Sequence, residues 1–208
     1  MTVTSPGGYF LVAMATAFVA TLPFGPINLT VVKTTVDHHR LGAIEFSFSA
    51  SVVETGQALI AILFGLVINR FLANYPGFNL LVAAVFIGLA VYVFIHETHP
   101  SLRDGPEGDP NFVKRGVLLA MLNPQAIPFW IFAVTATTQS LGMDLSGVYL
   151  LFFLVGVFIG KNLALFGFIL ASDYLKSHLD ESSQLVNRLL AVVLFIIGLI
   201  QIGRFLNA

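Results

Sequence analysis

The chain has no cysteine, few charges and no Lys or Arg before Lys33, and each shortage removes a class of explanation. Without cysteine there are no disulfides and no thiolate chemistry. Only 10% of the 208 residues are charged, against roughly 25% in soluble domains. A net charge of −1 gives no electrostatic footprint for nucleic acid or an anionic surface. The N-terminus lacks the basic region of a cleaved signal peptide. Its apolar segment from about Tyr9 is therefore expected to be kept as a membrane helix. What the chain does contain is apolar: 57% hydrophobic residues and a mean hydropathy of +0.89. The expected class is an all-α membrane protein whose main partner is the lipid bilayer.

A helical span needs roughly 20 apolar residues. Six such segments are predicted: Tyr9 to Val36, Leu41 to Ile68, Phe78 to Ile95, Phe112 to Thr138, Gly147 to Ala171 and Leu189 to Phe205. The segment 96–111, rich in Gly, Pro and acidic residues, reads as a linker between residues 1–95 and 112–208. Three spans on each side make the second half cross the membrane in the opposite sense to the first. Pro23 to Pro26 break the first span and Asn123-Pro124 break the fourth. Proline removes an amide donor and clashes with the preceding turn, so neither helix runs through. Lipid cannot satisfy the freed backbone groups, which must face protein or a polar cavity. Matched breaks in the first helix of each half predict two inverted three-helix repeats.

Orientation is predicted from basic residues. The connections after spans one, three and five hold Lys33, Arg40, Arg103, Lys114, Arg115, Lys176 and Arg188, whereas the other side holds Arg70 and Arg204. This asymmetry predicts a cytoplasmic linker and both termini outside.

The breaks also predict a site. Proline favours the first turn of a helix and Asn is a preferred N-cap, so Gly25-Pro26 and Asn123-Pro124 should each start a half-helix near mid-membrane. Inversion would turn the two positive helix ends toward each other, and free N–H groups there suit a carboxylate. Two proline kinks that merely shape the bundle are the plainer alternative. Glu54 lies 13 residues into the second span and Lys161 lies 14 into the fifth. Either charge alone in a membrane costs about 3 kcal/mol on insertion scales. Matching depth therefore predicts a pair, functional or merely register-fixing. Ser47, Ser51 and Glu54 share one helix face, which should line a polar interior.

Other residues carry less. Glu45 falls on the opposite face of its span, near Arg40, and suits the interface. Asp37-His38-His39 and His96-Glu97-Thr98-His99 contain ligand-type residues but no compact set of three or four, so no metal site is expected. Gly156 and Gly160 form a GxxxG pair, either a close contact within the monomer or a homodimer seam. Trp130 and the Phe residues are assigned to lipid or core.

The elements Phe24-Gly25-Pro26-Ile27-Asn28, Gly42 opening span two, and Leu122-Asn123-Pro124-Gln125-Ala126 make the chain resemble the LysE/RhtB-type amino-acid exporter family over essentially its whole length. That family's pattern is similar to P-G-P-x-x in the first helix and N-P-K-A in the fourth. Phe24 departs from the usual first proline, Gln125 from the usual lysine, and Ser49 from a common glycine; Lys161 is unusual there too. The resemblance implies export of amino acids or close derivatives across a bacterial cytoplasmic (inner) membrane, driven by an ion gradient, with H+ the expected coupling ion. The expected substrate-binding set is Gly25, Pro26, Asn28, Ser51, Glu54, Asn123, Pro124, Gln125 and Lys161, with a small zwitterion as substrate and no cofactor. A divalent-metal efflux protein would need more carboxylates or His at depth than Glu54 alone. An intramembrane enzyme would need a nucleophile with a base or metal ligands there, whereas all five His lie in loops or at span ends. A non-transporting structural subunit is a further alternative.

Overall fold

The computed structural model describes residues 3–22, 25–74, 111–123 and 126–175, together with isolated helical positions at 84, 87, 88 and 91. The third and sixth predicted spans and the linker fall outside these residues, apart from those four positions and Asn111. Helix is the only regular secondary structure among the described residues. In chain order the helices are α1, Pro6–Thr21; α2, Pro26–Asp37; α3, Arg40–Asn74; α4, Phe112–Met121; α5, Ala126–Leu141; and α6, Gly147–Leu170.

Local chemistry sets their ends. Ser5 N-caps α1, its hydroxyl accepting from the Gly8 amide, and Pro6 fills the first helical position. The helix therefore begins at Ser5-Pro6, ahead of the expected start at Tyr9. His39 starts α3 by accepting from the Gly42 amide through Nδ1 at 2.8 Å, which gives that loop histidine a capping role. Asn111 caps α4 through the Lys114 amide at 2.9 Å. Between α5 and α6, Gly142 adopts φ 59°, a left-handed conformation that glycine reaches without a Cβ penalty.

Among the described residues two helices are long and apolar enough to cross a membrane: the first 25 residues of α3, Arg40–Phe64, and the 24 residues of α6. At 1.5 Å per residue each covers roughly 36 Å, more than a hydrocarbon core of about 30 Å. The pair α1 and α2, bent by 75°, makes a third if counted as one broken span. Outward faces agree with this. Leu41, Ile44, Phe48, Val52, Ile60 and Leu63 are exposed along one stripe of α3, and Val148, Leu151, Val155, Leu163, Phe166 and Leu170 along one stripe of α6. Apolar stripes running from Leu41 to Leu63 on α3 and along α6, with Ser47, Ser51, Glu54 and Lys161 turned inward, suit lipid and not water.

The interior divides into two apolar clusters. One gathers Tyr9, Ala13 and Ala17 of α1 with Ala58, Ala61 and Ile62 of α3, Trp130, Ala133 and Val134 of α5, and Phe153 and Val157 of α6. The other gathers Ile27, Val31 and Val32 of α2 with Ala43, Phe46 and Ala50 of α3, Phe112 and Ala120 of α4, and Leu165, Phe168 and Ile169 of α6. The chain visits them in opposite orders in its two halves. The α1–α2 segment runs from the first cluster to the second, and α4–α5 runs back; α3 and α6 are likewise antiparallel. Packing crosses between the halves, with α1 lying chiefly on α6, and α4 and α5 on α3.

Glycine permits the closest of these approaches. A Cβ at Gly156 would overlap the Phe10 carbonyl oxygen, and one at Gly160 the Met14 carbonyl oxygen, so α1 lies directly on this face of α6. The GxxxG pair is thus a contact inside one chain, and that face is not open to a second copy. On the other side Gly116 of α4 lies against Ser49 and the Phe46 carbonyl of α3. Small residues there leave room for Ser49, whose hydroxyl donates to Phe46 O at 2.9 Å.

Candidate functional site

Between the two clusters α3 and α6 change character. On α3 the buried residues between Ala50 and Ala58 are Ser51, Glu54 and Gln57; on α6 Lys161 is buried between Val157 and Leu165. A polar layer therefore lies between two apolar ones. Lys161 Nζ donates to Glu54 Oε2, joining α6 to α3. Their side chains are 5% and 9% exposed, so the pair is out of solvent contact. In such surroundings each charge requires the other, because a lone buried ion keeps its desolvation penalty without compensation.

Helical spacing builds the α3 wall. Ser47, Ser51 and Glu54 follow at four and three residues and are all buried, as one face requires. The Ser47 hydroxyl donates to Ala43 O at 2.7 Å and the Ser51 hydroxyl to Ser47 O at 2.8 Å. Both protons are thereby held within the helix, leaving the oxygens facing inward. Gln57 continues the same face one turn beyond Glu54. It is 8% exposed, and its Nε2 donates to Ala120 O of α4 at 3.0 Å.

Both breaks separate a helix of one cluster from a helix of the other: α1 and α5 belong to the first, α2 and α4 to the second. Gly25 is the extended N-cap of α2 (φ −131°, ψ 177°), with Pro26 at the first helical position. Glycine brings no side chain to that cap, and no side-chain cap bond forms there. Asn28 reaches back across the break, donating from Nδ2 to Thr21 O at 2.6 Å. This carbonyl lies in the last turn of α1, where no helical amide follows to take it. The α4–α5 break uses the same device from another helix: Gln57 adds its amide to Ala120 O, which also accepts from the Asn123 backbone amide at 3.2 Å. Each broken helix thus has a last-turn carbonyl bound by a side-chain carboxamide, which is how backbone is tolerated where lipid cannot serve it. The half-helices α2 and α5 start from these breaks and run into different clusters.

Of the expected site residues, Ser51, Glu54 and Lys161 are buried in the layer; at the start of α2 Asn28 is buried, Gly25 half-buried and Pro26 exposed, and Asn123 closes the turn after α4. Pro124 and Gln125 lie outside the described residues. Asn28 differs from its expected role in one respect, since its amide is engaged with α1. The described His residues are elsewhere: His38 and His39 pack on the Phe112 ring, at 5.5 and 5.4 Å between centroids. Among the described residues no group of three or more metal-ligating side chains occurs. Glu45 is exposed, in keeping with its expected interfacial place.

Gln57 is not among the residues expected at the site, whereas Trp130 is expected in lipid or core. Gln57 stands three residues after Glu54 in an apolar run, and that spacing could have placed it on the polar face. Trp130 is fully buried in the first cluster, against Phe129 and Phe153. Gln57 Oε1 and Trp130 Nε1 have no hydrogen-bond partner among the described residues. Buried polar atoms normally find partners, so an unsatisfied acceptor beside an ion pair signals a place where a donor belongs. No protein-family model, curated protein or solved structure matches the chain.

Proposed function

We propose that this protein is a secondary active exporter of small zwitterions, amino acids or close derivatives, working from the cytoplasm outward. The observation that carries the reading is a buried Glu54–Lys161 pair lying between two apolar clusters that both broken segments cross. Broken helices that surround ionisable residues at mid-depth are the usual construction of a transporter site. The antiparallel course of α3 and α6, and of the two broken segments, supports a six-span architecture of two inverted three-helix repeats. On this reading the two repeats rock against each other about the layer, exposing Glu54 and Lys161 to one side at a time. The LysE/RhtB-like motifs favour an amino-acid cargo, a bacterial cytoplasmic membrane and H+ as the driving ion. Glu54 is the candidate proton carrier, because it alone among the described carboxylates lies inside the layer.

Counterflow in proteoliposomes tests this directly. Vesicles loaded with one unlabelled amino acid at a time should accumulate the same labelled compound only when the protein is present. An imposed pH gradient should raise that accumulation. Counterflow absent for the whole range of common amino acids would remove the reading.

A further inference from the structure

Resting on the exporter reading, we propose that the Glu54–Lys161 pair is the empty form of a zwitterion site. The substrate ammonium displaces Lys161 from Glu54 and is shared with Gln57 Oε1, while the substrate carboxylate takes the place of Glu54 on Lys161. The orientation of Gln57 is fixed by its partner. Ala120 O can only accept, so Nε2 must face it and Oε1 must face away. Oε1 is then a buried acceptor without a donor among the described residues, one helical turn from Glu54 on the same face. An ammonium has three N–H donors, enough to serve the carboxylate and this carboxamide together.

Charge conservation gives the site its selectivity. Glu54 and Lys161 sum to zero, and a zwitterion inserted between them leaves the sum at zero. A cationic or anionic amino acid would add a net charge to a layer enclosed by two apolar clusters. Taking the insertion cost of a central charge as the scale, the discrimination is roughly 100-fold. The inferred substrate class is therefore amino acids with uncharged side chains, not lysine, arginine, glutamate, simple amines or divalent cations.

Thermal unfolding and calorimetric titration of the full-length protein in detergent would test this, with leucine, alanine, lysine, glutamate, propylamine, propionate and Mn2+ as probes. The parent should bind an uncharged-side-chain amino acid at least ~100-fold more tightly than any charged one. Lys161→Met should lose that ligand and gain propylamine; Glu54→Gln should lose it and gain propionate. Gln57→Met keeps both charges and tests the site should those variants fail to fold. It should weaken the amino acid by about 10- to 100-fold, the usual effect of one hydrogen bond to a charged group, and leave propionate binding unmoved. Parental selectivity in Lys161→Met or Glu54→Gln, or parental affinity in Gln57→Met, overturns the proposal. If the parent still shows amino-acid counterflow in that case, the exporter reading stands without it. A parent that binds none of the probes and shows no counterflow sinks both.

Discussion

Lys161 and Glu54 should have very different effects when removed singly and together. Breaking a buried pair leaves an uncompensated charge and costs about 3–5 kcal/mol, whereas replacing both partners by neutral groups of similar volume is often close to neutral. Lys161→Met should therefore lower the unfolding temperature in detergent more than Glu54→Gln combined with Lys161→Met does. Equal losses from the single and double variants would show that the pair is not coupled in this way. The double variant should also fail to concentrate substrate against a gradient, since Glu54 no longer carries a charge or a proton. Asn28 gives a second residue-scale expectation. Its amide serves the Thr21 carbonyl at a buried break, so Asn28→Ala should destabilise by about 1–3 kcal/mol, the usual result of leaving a buried carbonyl unmatched. Asn28→Asp offers no N–H and should not restore stability on thermal unfolding. If it does, the Thr21 bond is not what holds the break.

At the scale of elements, the contact of α1 with α6 depends on the missing side chains of Gly156 and Gly160. A side chain at Gly160 would meet the Met14 backbone, which cannot move aside as a flexible side chain would. Gly160→Leu should push the helices apart, costing more than the ~1–3 kcal/mol typical of overpacking, and should sharply reduce the yield of folded protein on size-exclusion chromatography. Gly56 of α3 is the control, since it is exposed and nothing lies within 4 Å of a Cβ there. Gly56→Ala should change the unfolding temperature little, or raise it slightly through helix propensity. A tolerated Gly160→Leu would mean that α1 and α6 are not so closely packed.

At the scale of the whole molecule, the described basic residues other than Lys161 lie mostly at one end. Lys33, Arg40, Lys114 and Arg115 belong to the end formed by the second apolar cluster; at the opposite end of α3 stands Arg70. They lie within helix ends instead of the loops expected for them; Arg103, Lys176, Arg188 and Arg204 lie outside the described residues. If that end faces the cytoplasm, the N-terminus of α1 lies outside, and with six spans so does the C-terminus. A C-terminal fusion to a fluorescent protein that matures only in the cytoplasm should stay dark, while a periplasmic phosphatase at the same point should be active. A bright fluorescent fusion would reverse the orientation or change the number of spans.

Local sequence features were enough for the helical class, the two breaks, the extent of α6 to within a residue, and the positions of Glu54 and Lys161 well inside α3 and α6. All of these follow from local quantities: proline's missing amide, hydropathy over about 20 residues, and the 3.6-residue period. Tertiary structure decided what depends on partners distant in the chain. The sequence put Glu54 and Lys161 at matching depth, but their facing each other required α3 and α6 to pack antiparallel. The GxxxG pair was compatible with a monomer or a dimer until α1 was found on it. Gln57 was one polar residue in an apolar run; only the approach of α4 gave its Nε2 a carbonyl and left its Oε1 without a donor. Hydrophobic patterning states which residues leave water or lipid, and it carries no information on which buried groups meet. That is fixed by close packing, which allows few arrangements of helices and requires nearly every buried polar atom to be matched.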